Sequence, residues 1–412
     1  MSLDCRGNDN MKMSLRDWRQ ALESPPNYRI GKRTVRIQTK FVTIFVIFCI
    51  VVLFVRYLMS PKPSREEKYW ESDFLVRPNI APGYDNYITR ENIVNHYNNT
   101  YPLTRPVRTA TGLTYRIALV SDLDTSSKSQ SETNVWLSHL QKGYLLWNPS
   151  LNSVSIMWDK SKVYLKSSLS QGGRGMELSE LVVFNGKLYT MDDRTGVVYE
   201  IVGDEVVPWV ILPDGDGRTS KTFKSEWATV KDQKLVVGGF GKEWTNPAGR
   251  VVNYNPQWIK TVTTKGEVSH KNWRDNYLAL LKAVGITHPG YMIHESGMWS
   301  DIHKKWFFLP RRCSKETYHE ETDELMGTNL LITCDENFQN IKVFKIGDVN
   351  PSHGFSSFKF IPGSEDEVIF AIKSEELKGS VSSYAMAFKI NGKILMSETK
   401  IGDTKYEGIE FI

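Results

Sequence analysis

From about Tyr115 onward the chain alternates apolar and polar positions in short runs, as in YRIALVSDLD, KGYLLWNP and SVSIMWDK. Period two is the signature of half-buried β-strands. Asn185-Gly186, Thr195-Gly196 and Asn391-Gly392 interrupt such runs, and these residues reach positive φ at little cost, so each predicts a hairpin turn. Four stretches then repeat one theme, a polar or acidic opener, a strand, a polar turn and a second apolar strand: ELSELVVFNGKLYTM, SEWATVKDQKLVVGG, ESGMWSDIHKKWFFLP and SSFKFIPGSEDEVIFAI. A multi-strand unit recurring every roughly 45 to 70 residues predicts the blades of a β-propeller. One segment departs from this pattern. In HKNWRDNYLALLKAVGI the residues Trp273, Tyr277, Leu280 and Val284 share a face, which predicts a helix packed on the propeller rim.

The last segment, KYEGIEFI, has an acidic opener but is too short for a blade. A propeller must close its ring, and pairing this strand with YRIALVSDLD closes it and hides both edges. The expected fold is therefore all-β, a five-bladed propeller over residues 111–412 with the C-terminal strand innermost in the closing blade. Innermost strands point at one axis, so their openers converge. Those openers are Ser179-Glu180, Ser225-Glu226, Glu295-Ser296, Ser356-Ser357 and Glu407, a set of hard oxygen donors suited to calcium or magnesium rather than a soft metal.

The first 110 residues read differently. Residues 41–55, FVTIFVIFCIVVLFV, are uncharged and apolar, and with Tyr57, Leu58 and Met59 they reach the low end of a spanning helix. A cleaved signal peptide is the alternative, but its charged leader would be shorter than the forty residues here and a small-residue cleavage site would follow. Residues 41–59 are thus expected to be a signal anchor, with residues 1–40 a basic cytosolic tail by the positive-inside rule. Residues 60–110, rich in Pro, Asn and Tyr, are expected to form a luminal stalk and a packed arm.

Charge supports that division. Nine basic and four acidic side chains in residues 1–40 account for the whole formal charge of +5, leaving 43 of each sign beyond. The propeller lacks the basic footprint of a nucleic-acid binder. Cys313 and Cys334 flank a strand-turn-strand stretch in the part expected to be luminal, where a disulfide between them and two unpaired thiols are both open. Asn98-Asn99-Thr100 is a glycosylation sequon in the stalk.

GRGMELSELVVFNGKLYTMDDRTGVVYEI, PWVILPDGDG, GKEW, HESGMWSD, KWFFLPRR, HGFSSFKFIP and KYEGIEFI together resemble the apyrase family, in its branch of calcium-activated nucleotidases and of salivary enzymes from blood-feeding insects. The resemblance covers about Tyr97 to Ile412. It implies one axial Ca2+ ion and hydrolysis of nucleoside diphosphates, UDP and GDP before ADP, in a membrane-anchored protein of the endoplasmic reticulum and Golgi that supports glycosylation and proteoglycan synthesis. A homodimer and a soluble form released by cleavage are both compatible with it. Carried over motif by motif, its calcium positions fall on Ser179, Glu180, Glu226, Glu295, Ser356 and Glu407; some relatives have Asp where Glu180 stands.

Hydrolysis needs more than the metal, because a diphosphate must be neutralised and its phosphoryl group aligned with water. Arg311 is the expected phosphate ligand, its alternative being an ordinary strand-end arginine. Asp122, Asp124 and Asp193 are candidates to orient or deprotonate the water, although Asp193 before Arg-Thr-Gly also suits a hairpin. Trp227 is a candidate to stack the base, with a core position as its alternative. The DGDG tract at Asp214–Gly217 lacks the downstream Glu of a calcium loop and reads as a turn. No Walker A or GxSxG motif is present. A calcium-propeller lactonase or esterase and a non-catalytic calcium scaffold remain as the other classes.

Overall fold

The computed structural model describes residues 27–30, 33–36, 48–52, 96–246 and 249–412. Two compact units divide at residue 88. In the first, Asn27–Ile30 pairs antiparallel with Arg33–Arg36 and residues 48–52 are helical. Most of the expected span at 41–59, its basic tail and the stalk lie outside the described residues; among those described, no helix is long and apolar enough to cross a membrane.

The second unit is a five-bladed β-propeller. Four blades are antiparallel sheets of four strands in chain order from the axis outward, with inner strands Leu178–Phe184, Trp227–Lys231, Gly297–Ser300 and His353–Phe360. The remaining blade closes the ring as expected. Its inner strand, Tyr406–Phe411, pairs antiparallel with Gly112–Ser121, Phe411 opposite Ile117, and Val107–Thr109 adds to the same sheet.

Alternation along each strand sends successive side chains to opposite faces, and in a ring both faces of a blade are covered. Leu181 and Val183 pack toward the closing blade, whereas Val182 and Phe184 pack toward the next one. Five apolar clusters result, one between each pair of adjacent blades. The predicted helix is present at Arg274–Ala283 and buries Tyr277, Leu280 and Leu281 against the cluster holding Trp227 and Trp306. Turn chemistry follows the sequence as well. Asn185 and Gly186 have φ of 50° and 71°, the left-handed pair that a two-residue hairpin requires. In the DGDG tract the Gly217 amide closes a turn on the Asp214 carbonyl at 3.0 Å.

Of the two states left open for Cys313 and Cys334, the disulfide is corrected, since both thiols are free. Cys313 lies on a short strand paired with Tyr291–Ile293, while Cys334 lies opposite Trp306 in the neighbouring four-stranded sheet. Their sulfurs serve the apolar packing between blades, and burial pushes the thiols up to about 11 for Cys313 and about 12 for Cys334.

Candidate active site

The openers do converge, and the backbone shows how. Register slips between Leu178 and Glu180, between Phe355 and Ser357, and between Tyr406 and Gly408. Ser179, Ser356 and Glu407 are therefore β-bulges, which leave the ladder and re-aim toward the axis. Gly408 permits the approach, because a Cβ there would lie 2.6 Å from the Glu180 backbone. Hydroxyls at this level stitch blades together: Ser179 donates to the Ser225 carbonyl at 2.7 Å and Ser356 to the Tyr406 carbonyl at 3.3 Å.

Around these bulges the fold gathers eight carboxylates and four cations into one network. Lys405 touches Asp122 at 2.8 Å, Asp124 at 3.3 Å, Glu376 at 3.1 Å and Glu407 at 3.3 Å. Arg311 pairs with Glu295, with Glu376 at 2.5 Å and with Glu407 at 3.4 Å. Lys224 pairs with Asp193 and, at 2.9 Å, with Glu226. Arg174 holds Glu177 at 2.6 Å and Asp124 at 3.2 Å.

This imbalance shows in the titration of the groups. Burial pushes the Glu226 carboxyl up to about 8, with Lys224 opposing and Glu295 and Asp193 adding to the rise. Burial also drives Glu407 well above the ordinary range, Lys405 opposing and Glu295 reinforcing. Glu376 goes the other way: burial alone would raise it, but Lys405 and Arg311 together bring it down to about 2. Buried carboxylates that raise one another call for a further positive charge. Two buried oxygens of residues at this site, Asp193 Oδ1 and Ser225 Oγ, have no hydrogen-bond partner among the described residues. A hard divalent cation fits this donor set. Asp122, Asp124 and Glu177 bring oxygens within 4.8 Å of one another with Arg174 and Lys405 beside them, while the axial carboxylates Glu226, Glu295 and Glu407 are paired with Lys224, Arg311 and Lys405.

Glu180 stands apart from them. Its carboxylate accepts from the Ser357 hydroxyl at 2.8 Å and its own Leu181 amide at 2.9 Å, and pairs with Lys359 at 3.2 Å. Asp193 is in the network, and the hairpin work falls to Asp192, which accepts from the Arg194 and Thr195 amides. Trp227 is corrected to the core. Its ring is fully buried against Trp273 and Phe308, with the indole N–H on the Gly239 carbonyl at 3.2 Å.

Beside Arg311 and Glu295 opens a cleft of about 370 Å³ whose lining includes Phe240, Trp244 and Tyr318. Phe240 meets Trp244 edge-on at 5.1 Å, and the Trp244 indole N–H has no partner among the described residues. Cations and acceptors thus adjoin an aromatic wall.

Residues 123–412 match the apyrase family profile. The chain belongs to the apyrase family. It is a nucleotide-hydrolysing enzyme. It is 55% identical over 336 residues to soluble calcium-activated nucleotidase 1 of Rattus norvegicus, covering 82% of this chain and 83% of that protein. To the apyrase of Cimex lectularius it is 47% identical, over 76% of this chain and 87% of the other. Apyrase apy-1 of Caenorhabditis elegans is 48% identical over 72% and 84%.

Several apyrase-site residues went unmarked in the sequence: Arg174, Glu177, Lys224, Glu376 and Lys405. Two carried a signal, since Lys224-Ser-Glu226 and Lys405-Tyr-Glu407 repeat one K-x-E spacing at two openers. Glu376 had none, because it reaches the site from the second strand of its blade.

Proposed function

We propose that the chain is a calcium-dependent nucleoside diphosphatase that releases phosphate from UDP and GDP in preference to ADP. The observation that carries this reading is the excess of buried carboxylates around Arg311 and Lys405, beside a cleft with an aromatic wall. Glu226, Glu295 and Glu407 would hold the calcium, with Ser179 and Ser356 brought in by their bulges. Bound there, calcium supplies charge neutralisation and a template for the diphosphate. Glu180 is the weakest member of the carried-over set, its side chain being engaged by Ser357 and Lys359.

Arg311 would neutralise the transferring phosphate, and its stem lies across Gly354, where a Cβ would come 2.4 Å from the Arg311 Cγ. Asp193 is the favoured water acceptor. Its Oδ2 is held by Lys224 while Oδ1 has no hydrogen-bond donor among the described residues, and burial raises its carboxyl above the ordinary value, the direction a general base needs. Asp122 is less suited, because Lys405 overcomes the effect of burial and holds its carboxyl below the ordinary range. The base is assigned to the wall of Trp244 and Tyr318, where stacking on an aromatic face holds it.

The setting proposed is the lumen of the endoplasmic reticulum and Golgi, with a type II anchor at 41–59 and a glycan at Asn98. Support comes from the apolar run with its basic flank and from the exposure of Asn98. Removal of UDP and GDP there would sustain glycosylation and proteoglycan synthesis. Phosphate release from UDP, GDP, ADP and a lactone substrate, each with calcium and with chelator, tests the activity. Turnover of the lactone alone would favour the esterase class, and calcium binding without turnover would favour the scaffold. Protease protection in sealed microsomes, and a mobility shift lost in Asn98→Gln, test the topology.

A further inference from the structure

The inner strands Leu178–Phe184 and Tyr406–Phe411 carry the bulges at Ser179 and Glu407, yet they belong to different sheets and share no ladder. Beyond the bulges the Glu410 side chain bonds directly from one to the other. Glu410, 2% exposed, accepts the Val183 amide across the gap at 2.9 Å through Oε2 and its own Phe411 amide at 2.8 Å through Oε1. The third donor to this carboxylate comes from outside the ring. Tyr101, in the arm before the first blade, donates its hydroxyl to Glu410 Oε1 at 3.0 Å.

We propose that Tyr101 is a positioning residue for the axial site, locking the carboxylate that pins two ligand-bearing strands together. The arm is built for this. Thr104 donates to the Ile412 carbonyl at 2.5 Å, and the Asn98 amide donates to Asn185 Oδ1 at 2.7 Å, so the arm is tied to both blades that Glu410 joins. Between these ties lies a cavity of about 390 Å³, lined by Tyr97, Trp299, Lys359 and Glu410 among others. Arm and ring are therefore not in continuous contact, and the phenol is a discrete link to the buried carboxylate. A buried carboxylate needs its donors; without the phenol, Glu410 Oε1 keeps only its own strand's amide and grips its position less firmly. Tyr101 precedes the family-matched residues, which begin at 123.

The calcium part of this proposal rests on the calcium reading given above, and the test separates the two. In the detergent-solubilised full chain, Tyr101→Phe removes one oxygen. Amide hydrogen exchange at Val183 and Phe411 in metal-free protein is expected to quicken, and calorimetric calcium affinity to weaken, each by about three- to tenfold, a fraction of what a hydrogen bond to a charged group is worth. The kcat for UDP at saturating calcium should stay unchanged. Tyr97→Phe, whose hydroxyl among the described residues accepts the Asn185 amide at 3.5 Å, should leave both readouts at wild type. Unaltered exchange at Val183 in Tyr101→Phe would overturn the clasp, and altered exchange with wild-type calcium affinity would overturn its tie to the metal site. Should the wild type bind no calcium, the calcium reading of the site fails, while exchange still decides whether Tyr101 pins the strands.

Discussion

Arg311→Ala separates a phosphate ligand from a structural cation. The guanidinium is 4% exposed and shared by Glu295, Glu376 and Glu407, the last at 3.4 Å. At an effective dielectric of about 20, a charge pair at that distance has a gross attraction of about 5 kcal/mol. Most of that is offset by desolvation, but its removal takes one positive charge away from beside Glu295 and Glu407. Calcium affinity should therefore hold or tighten, by up to about tenfold for a residual of about 1.4 kcal/mol. Stability of the metal-free protein should fall by about 3–5 kcal/mol, the usual cost of breaking a buried ion pair. Turnover should fall about 10²- to 10³-fold, the scale for losing one preorganised electrostatic group in the transition state. Calorimetry with calcium, denaturant unfolding in chelator and phosphate release from UDP under saturating calcium read the three quantities on one preparation. Should calcium affinity drop in proportion to turnover, Arg311 would be a support for the metal cage and the assignment to phosphate would be wrong. Near-normal turnover with calcium bound would refute it more directly.

Glu226→Gln and Glu407→Gln should weaken calcium by more than about a hundredfold in calorimetry, since even outer partners of a metal site are worth about 10–100-fold; wild-type affinity in both would end the axial model. Trp244→Ala should raise the KM for UDP about tenfold or more with kcat little changed, from ~1–3 kcal/mol per stacked base, and an unaltered KM would move the base elsewhere. Lys260 is buried and donates to the Gly215 carbonyl, and burial brings its ammonium down from 10.5 to about 8. Between those values the unfolded chain binds more protons, so stability should rise with pH from about 8 to 10.5, and that slope should vanish in Lys260→Met when unfolding is followed across pH. Cys313 and Cys334 should resist alkylation in the native protein and both react after denaturation; a bridged peptide in a non-reducing map would contradict the free thiols.

Much of this architecture is written locally. Period-two runs, glycine-bearing turns and a repeated opener carry the blade count and the closing strand, because alternation and turn chemistry depend only on neighbours a few residues apart. The same openers announce the axis, since every inner strand begins there. Long-range decisions were not legible in this way. Whether Trp227 faced a ligand or the core depended on Trp273 and Phe308 arriving from other segments, and whether Cys313 met Cys334 depended on the sheets that held them. Asp192 and Asp193 are adjacent and alike in sequence, yet one caps a hairpin and the other faces Lys224 across blades. Glu376 enters the site from a second strand, and Tyr101 reaches Glu410 over 309 positions. Sequence determined the blades because their pattern is periodic and local; only the closed ring decided which charges share the axis, because burial and pairing are set by residues far apart in the chain.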